Sequence, residues 1–453
     1  MHTLLSSYDP VMYSRVLTGL TLAFHIIFAT IGVGVPLMIA LAEWMGIRRN
    51  DEHYMLMARR WARGFVITVA VGVVTGTAIG LQLSLLWPSF MRVAGQSIAL
   101  PLFMETFAFF FEAIFLGIYL YTWDRFKKRT THLWLLVPVV IGSSASACFI
   151  TVVNAFMNAP AGITVKDGKI TDISPFGAML SPAMPTKVSH VLVTAYLTCA
   201  FVLAAIAAWS LLKGRNHVYY KKALKLTMVA SCVFLLASAV IGDLSGKFLA
   251  KYQPEKLAAM EWHFDTTKEA PLVLGGILTD NNEIKYGLKI PYALSILAHG
   301  LPNAEVTGLN DIPADEQPPL YIHYLFDLKM GFVALMFLIA GGFMVLLWRR
   351  RERVFENKWI LRGIILAAPL AMMTIEHGWI FSEVGRQPWL LRGIMRTEEG
   401  ATVSDHVDTM LYVFAALYVV LAFSSVTVLI RMFRSNRAED EIAAKGIEGG
   451  SEL

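Results

Sequence analysis

The run Ile360–Val384, ILRGIILAAPLAMMTIEHGWIFSEV, followed at once by Gly385-Arg386-Gln387-Pro388-Trp389, decides the fold. It is long and apolar enough to cross a bilayer, which takes about 20 mostly apolar residues. Yet it carries Glu376, His377 and, at its far end, Glu383. An ionisable side chain in such a segment is costly, so each is by default a functional hypothesis that calls for a partner or a cofactor.

Composition extends that reading to the whole chain. Hydrophobic residues make up 56% of the 453 and charged residues 16%, against about 25% charged in a soluble protein. Mean hydropathy is +0.56. The chain therefore reads as an all-α, polytopic integral membrane protein in a lipid bilayer. A net charge of +5 would suggest nucleic acid in a soluble chain, but most basic residues here lie in short loops between apolar stretches, where they set topology. Nucleic-acid binding is not expected. Ahead of the first apolar run stand Asp9 and a single Arg15, unlike a basic leader with a cleavage site, so the first span is expected to stay. Cys148, Cys199 and Cys232 all fall in apolar stretches and no C-x-x-C-H occurs, which indicates neither a disulfide frame nor covalent c-type heme. Any heme is held non-covalently.

Nine stretches qualify as spans, at roughly 14–44, 62–86, 98–123, 133–157, 187–212, 224–247, 321–348, 360–384 and 408–432. Basic residues alternate between the loops. They gather after span one (Arg48, Arg49, Arg59, Arg60, Arg63), after three (Arg125, Lys127, Lys128, Arg129) and after five (Lys213, Arg215, Lys221, Lys222, Lys225). They gather again after seven (Arg349 to Arg362) and nine (Arg431, Arg434, Arg437). The positive-inside rule puts these in the cytoplasm, with the N-terminus outside and the C-terminus inside. The segment 246–320 then lies outside, long enough to be either functional or a flexible linker. Residues 436–453 form a polar cytoplasmic tail expected to fray. No useful internal repeat appears, which weighs against a transporter.

Several buried-looking side chains could carry chemistry. His25 sits among Leu22, Ala23, Phe24, Ile26, Ile27 and Phe28, where an imidazole needs a partner: a heme iron, or a group on a neighbouring helix. His190 lies at the outer end of span five and reads as a ligand or an interfacial histidine. Met330, in span seven, can pair with a histidine on a low-spin heme or simply fill space, as most of the 21 methionines do. Glu105 and Glu112 are two helical turns apart and so face one side. The phenylalanines at 103, 107, 109, 110 and 111 are expected to surround them. A stacked acid pair suits a proton relay, or hydrogen bonds to neighbouring helices. Glu376 and Glu383 repeat that spacing. Glu383 can serve as an anionic heme ligand, and Glu376 as a proton carrier or a packing acid. The orientation above sets His25, Glu105, His190, Met330 and Glu383 in the outer half of the membrane. Electrons from an outer donor and protons from the inside would then generate membrane potential without a pump.

These residues carry a resemblance. With Glu383 ahead of Gly385-Arg386-Gln387-Pro388-Trp389, Ser14-Arg15 leading to His25, Glu105 to Glu112 followed by Trp123-Asp124-Arg125, Ile241-Gly242-Asp243, and Lys256 to Glu261, the chain resembles subunit I of the cytochrome bd quinol oxidases over nearly its whole length. The resemblance implies a respiratory oxidase of the bacterial cytoplasmic membrane that reduces dioxygen to water with electrons from a membrane quinol. It implies a low-spin heme b, a high-spin heme b and a heme d or a heme b in its place. By the same resemblance, His190 and Met330 hold the low-spin heme, with Lys329 in place of an Arg that the family often shows shortly before the Met. His25 and Glu383 hold the two high-spin hemes, with the choice for heme d left open. Glu105 and Glu112 lie beside those hemes, and Arg386, with Trp389 in the same turn, is a heme-site partner. Lys256 and Glu261 form the quinol-oxidising pair in a loop of the family's shorter type. A second large subunit and a small single-span third subunit are the implied partners. An ion-coupled transporter remains the alternative on buried acids alone, but it leaves His25, His190 and Met330 without a purpose.

Overall fold

The computed structural model describes residues 8–166 and 169–447. Among them nine helices are long and apolar enough to cross a membrane: Pro10–Arg49, Glu52–Leu86, Pro88–Tyr121, Arg129–Asn158, Met184–Leu212, Val218–Tyr252, Ile322–Glu356, Lys358–Val384 and Val407–Ser435. These are the nine expected stretches, called spans one to nine below, each carried past its apolar run at one or both ends. Hydropathy marks what must sit in lipid, whereas caps decide where a helix stops. Asp9 accepts from the Val11 and Met12 N–H groups at 2.9 and 3.2 Å, with Pro10 in the first helical position. Asn50 ends span one in the left-handed region, at φ 49. Asp51 opens span two by accepting from His53 N at 3.0 Å, and Lys222 of span six donates to its other oxygen.

Span five is the centre of the bundle, packing along spans one, four, six and eight. Its approach to span one is close. A Cβ on Gly34 would stand 2.5 Å from both the Ala195 carbonyl and Cys199 Sγ, so this crossing requires glycine. Tyr54, Phe65, Phe201, Leu224, Phe343 and Leu361 belong to one continuous core beneath it. Cys148, Cys199 and Cys232 are free thiols.

The long connection corrects the linker reading in two respects. Residues 246–252 are the last turns of span six, and the segment beyond is folded. It contains the helix Pro254–Met260 and the helix Ala293–His299. Three antiparallel pairings accompany them: Thr267–Lys268 with Glu305–Val306, Leu272–Leu274 with Leu288–Ile290, and Ile277–Leu278 with Ile284–Lys285. Leu257, Met260, Leu294, Val306 and Leu309 bury against Phe381 of span eight and form a core of their own. The tail also departs from expectation, because Ala438–Ala444 is helical and buries Ala438 and Ile442. Glu441 accepts from Arg63 at 2.6 Å and from Arg60, both on span two. Of the expected tail, 448–453 lie outside the described residues.

Candidate functional site

A polar knot forms at the end of the bundle that carries the folded connection. The last turns of span four bring Asn154, the first turn of span five brings Lys187, and the end of span eight brings Ser382 and Glu383. Glu383 Oε1 accepts from Asn154 Nδ2 at 2.5 Å and Oε2 from Arg386 at 2.6 Å. Lys187 Nζ donates to Asn154 Oδ1 and to Ser382 Oγ, both at 2.8 Å. Because an ammonium only donates, it turns the amide oxygen toward itself and the amide nitrogen toward the carboxylate. Lys256, from the short helix of the connection, donates to the Ser382 carbonyl at 3.0 Å and lies 4.7 Å from the Phe381 ring centroid. Its stem crosses Gly385, where a Cβ would stand 2.5 Å from Lys256 Cε.

Three basic groups thus gather about one carboxylate. Burial above all, and then the charge of Lys187, hold the Lys256 amine well below the usual lysine range. Arg386 is 5% exposed, and its Nε and one terminal nitrogen have no protein acceptor. Free guanidinium donors beside surplus positive charge suit an anionic group, for which charge-assisted bidentate bonds are the strong kind. Trp389 stands in the hairpin that follows, Trp389–Leu391 with Met395–Arg396, with Arg396 over its ring at 5.3 Å.

The histidines fit axial ligation in different ways. The Thr75 hydroxyl lies 2.9 Å from both His25 Nδ1 and the Val71 carbonyl, so by donating to the carbonyl it can accept from the ring. That arrangement accommodates a proton on Nδ1 with the Nε2 lone pair free, the tautomer that a metal-bound histidine needs. Gly76 lies beneath the ring, where a Cβ would come within 3.3 Å of His25 Cε1. His190 Nδ1 is buried with no hydrogen-bond partner. Lys187 and Lys329 are both near enough to act on that ring electrostatically. Met330 is 42% exposed on span seven. Among the described residues no three of His, Cys, Asp and Glu converge to hold a bare metal ion. Isolated single donors are what a porphyrin iron uses, since the macrocycle supplies its other bonds.

On span three, Phe103, Phe107, Phe110 and Phe111 are exposed, and Phe103, Phe107 and Phe111 line a cavity with Gly142, Ala145 and Phe149 of span four. Glu112 is buried against span four, at Gly142, where a Cβ would come within 3.0 Å of Glu112 Cβ. Glu105 accepts from Ser146 at 3.0 Å. Glu376 keeps one buried oxygen without a partner, and His377 donates Nδ1–H to the Met373 carbonyl at 2.7 Å.

Lys256 and Glu261 do not form a contact pair. No ion pair or hydrogen bond joins them among the described residues, because the short helix turns Lys256 toward Glu383 and Glu261 toward span seven. Glu261 is 1% exposed, with one oxygen unpartnered. Burial, then the charge of Asp327, push its carboxyl up to about 8. Sequence reasoning missed what lies beside it. His323, with Trp262 stacked on it at 3.9 Å, bonds the Met260 carbonyl through Nδ1 at 2.7 Å and faces Asp327 at 3.3 Å through Nε2. The available signal was a His and an Asp four residues apart opening span seven.

The family model described as cytochrome bd terminal oxidase subunit I matches residues 13–437. The chain belongs to this family. It is 38% identical over 441 residues to a putative cytochrome bd menaquinol oxidase subunit I of Bacillus subtilis, covering 96% of this chain and 99% of that one. It is 25% identical over 500 residues to the cytochrome bd-II ubiquinol oxidase subunit 1 of Escherichia coli, covering 94% and 97%. The solved bd oxidase from Geobacillus thermodenitrificans superposes with a TM-score of 0.90 at 65% identity, covering 95% of this chain and 100% of that one. The bd-family fold accounts for the nine helices, and its heme chemistry suits the single donors found on them.

Proposed function

We propose that this subunit oxidises quinol beneath the folded connection and passes the electrons to hemes held by His25, His190, Met330 and Glu383, where dioxygen becomes water. Family membership makes the chain a multi-pass subunit of a terminal quinol oxidase and not a transporter, with hemes as cofactors and a second subunit as partner. The finer assignments are ours. His190 and Met330 hold a low-spin heme b. His25 and Glu383 hold a high-spin heme b and a heme d or a heme b in its place, with Arg386 on a propionate and Trp389 alongside. Those hemes supply the one-electron carriers and the iron chemistry of dioxygen reduction.

The chain's own residues do the rest. Glu261, a buried base tuned near the working pH, takes a proton from quinol as electrons leave. Asn154, Lys187 and Arg386 hold the Glu383 carboxylate in a single orientation. Glu105 and Glu112 bring protons toward the oxygen-reducing centre from the opposite side. The basic residues Arg59, Arg60, Arg63, Arg129 and Lys221 pair with acids at the end away from the connection, which supports a cytoplasmic location for that end. Quinol is then oxidised outside and protons are drawn from inside, which builds potential without pumping in a bacterial cytoplasmic membrane. A small single-span third subunit completes the assembly.

The observation that carries this reading is Ser382, which binds Lys256 of the connection through its carbonyl and Lys187 of the Glu383 knot through its hydroxyl. Glu261→Ala tests it: quinol oxidation should fall while all hemes remain visible in the reduced spectrum. Unchanged turnover with quinol removes the connection from the mechanism.

A further inference from the structure

Oxidation of a quinol releases two electrons and two protons, and Glu261 alone, buried and without a partner on one oxygen, has no direct route to water. The groups around it supply one. Met260 and Trp262, its chain neighbours, both grip His323: the first by a carbonyl at 2.7 Å from Nδ1, the second by stacking at 3.9 Å. A carbonyl can only accept, so Nδ1 carries the proton. His323 Nε2 then faces two more acceptors at 3.3 Å, Asp327 Oδ2 and the Gly275 carbonyl. A neutral ring would aim a lone pair at oxygen. A proton placed between His323 Nε2 and Asp327 Oδ2 is therefore within reach of both.

Asp327 also accepts from the Gly275 N–H, at the end of the strand Leu272–Leu274 that passes Glu261. Its side chain is 16% exposed whereas that of His323 is 0% exposed. No Lys or Arg is ion-paired with Asp327 or Glu261 among the described residues. Lys329, the nearest cation in sequence, is turned onto Phe326 and Phe381, at 4.7 and 5.2 Å from their ring centroids. The groups facing Asp327 are therefore His323 on its own helix, Glu261 from the end of the short helix, and the Gly275 backbone.

We propose that Asp327, with His323 as the positioning residue that shares its proton, is the exit through which protons taken from quinol by Glu261 reach water. This rests on the quinol-oxidising reading of the connection. The balance is simple. The quinol O–H bond breaks, its electron goes to the oxidase, and its proton moves to Glu261, then to Asp327 as the proton held there leaves to solvent. Each quinol sends two protons along this path in turn.

The test uses the whole oxidase complex. Asp327→Asn and Glu261→Gln are compared with the parent by stopped-flow heme reduction with quinol, across pH and in heavy water, after heme content has been checked with dithionite. For Asp327→Asn the expected result is at least a tenfold slower reduction by quinol, an increased solvent isotope effect, and a KM for quinol within twofold of the parent. Asp327→Glu should recover most of the rate, and His323→Gln should shift the pH profile. If Glu261→Gln is slow and Asp327→Asn is not, the exit is wrong while the quinol site stands. If neither is slow, the quinol reading itself fails. Loss of heme in Asp327→Asn makes the residue structural and overturns the proposal.

Discussion

Replacing Glu383 by Gln keeps the length of the side chain and one acceptor oxygen but removes the charge that Lys187, Lys256 and Arg386 share. The Arg386 side chain is 3% exposed and that of Glu383 is 31% exposed. Stripping one partner from a fully buried pair costs about 3–5 kcal/mol, so a partly open carboxylate falls near the lower end, about 3 kcal/mol. At about 1.4 kcal/mol per tenfold, that is roughly a hundredfold weaker hold on the heme that Glu383 is proposed to ligate. Heme per polypeptide and the reduced-minus-oxidised spectrum measure it directly: one high-spin heme should be depleted while the low-spin bands stay intact. Adding Lys187→Met to Glu383→Gln should recover part of the loss, since one of the stranded cations is gone and the two sites are coupled. A full heme complement in Glu383→Gln would refute the ligand role, and strictly additive losses in the double variant would refute the electrostatic account.

Three further outcomes are expected. The Glu261 carboxyl, pushed up by burial and by Asp327 to about 8, is the active base only when ionised. Quinol oxidation should therefore rise with pH toward about 8, and Glu261→Gln should flatten that limb in a steady-state pH profile. Gly385→Ala should cost about 1–3 kcal/mol by overpacking, since the new Cβ meets Lys256 Cε at 2.5 Å and the Phe381 carbonyl at 2.7 Å; a melting temperature equal to the parent's would contradict it. Glu441 is raised by burial, but the Arg63 hydrogen bond and the Arg60 charge outweigh this and leave it below the usual carboxylate range. A depressed carboxylate contributes stability at neutral pH that is lost as pH falls through that range. Glu441→Gln should thus loosen the Ala438–Ala444 helix by about 1 kcal/mol, read as faster proteolysis of the tail at pH 7.

The spans were legible because twenty apolar residues have few other uses, and Glu383 and Arg386 stood out because charge is rare in such runs. Their companions did not. Asn154 and Glu383 are 229 positions apart, and nothing in either neighbourhood announces the other. The facing of Phe103, Phe107, Phe110 and Phe111 was not legible for a physical reason. In a membrane helix both the packed face and the lipid face are apolar, so hydropathy does not reveal which way an aromatic ring points. The connection was opaque because its strands are two or three residues long and pair across long separations, as Thr267 does with Val306. Lys256 and Glu261 entered through the resemblance, which says nothing of where each side chain turns. A short helix places residues five apart on different sides, and each found its neighbours in another span.

Ser382 gives the molecule a mechanical linkage. One end of that residue is clamped by Lys256 from outside the bundle and the other by Lys187 from within it, while the next residue along the chain is Glu383. An inhibitor wedged under the helix Pro254–Met260 would therefore pull on the Glu383 carboxylate without touching it, and with Glu383 in its proposed ligand role its arrival would register as a change of colour.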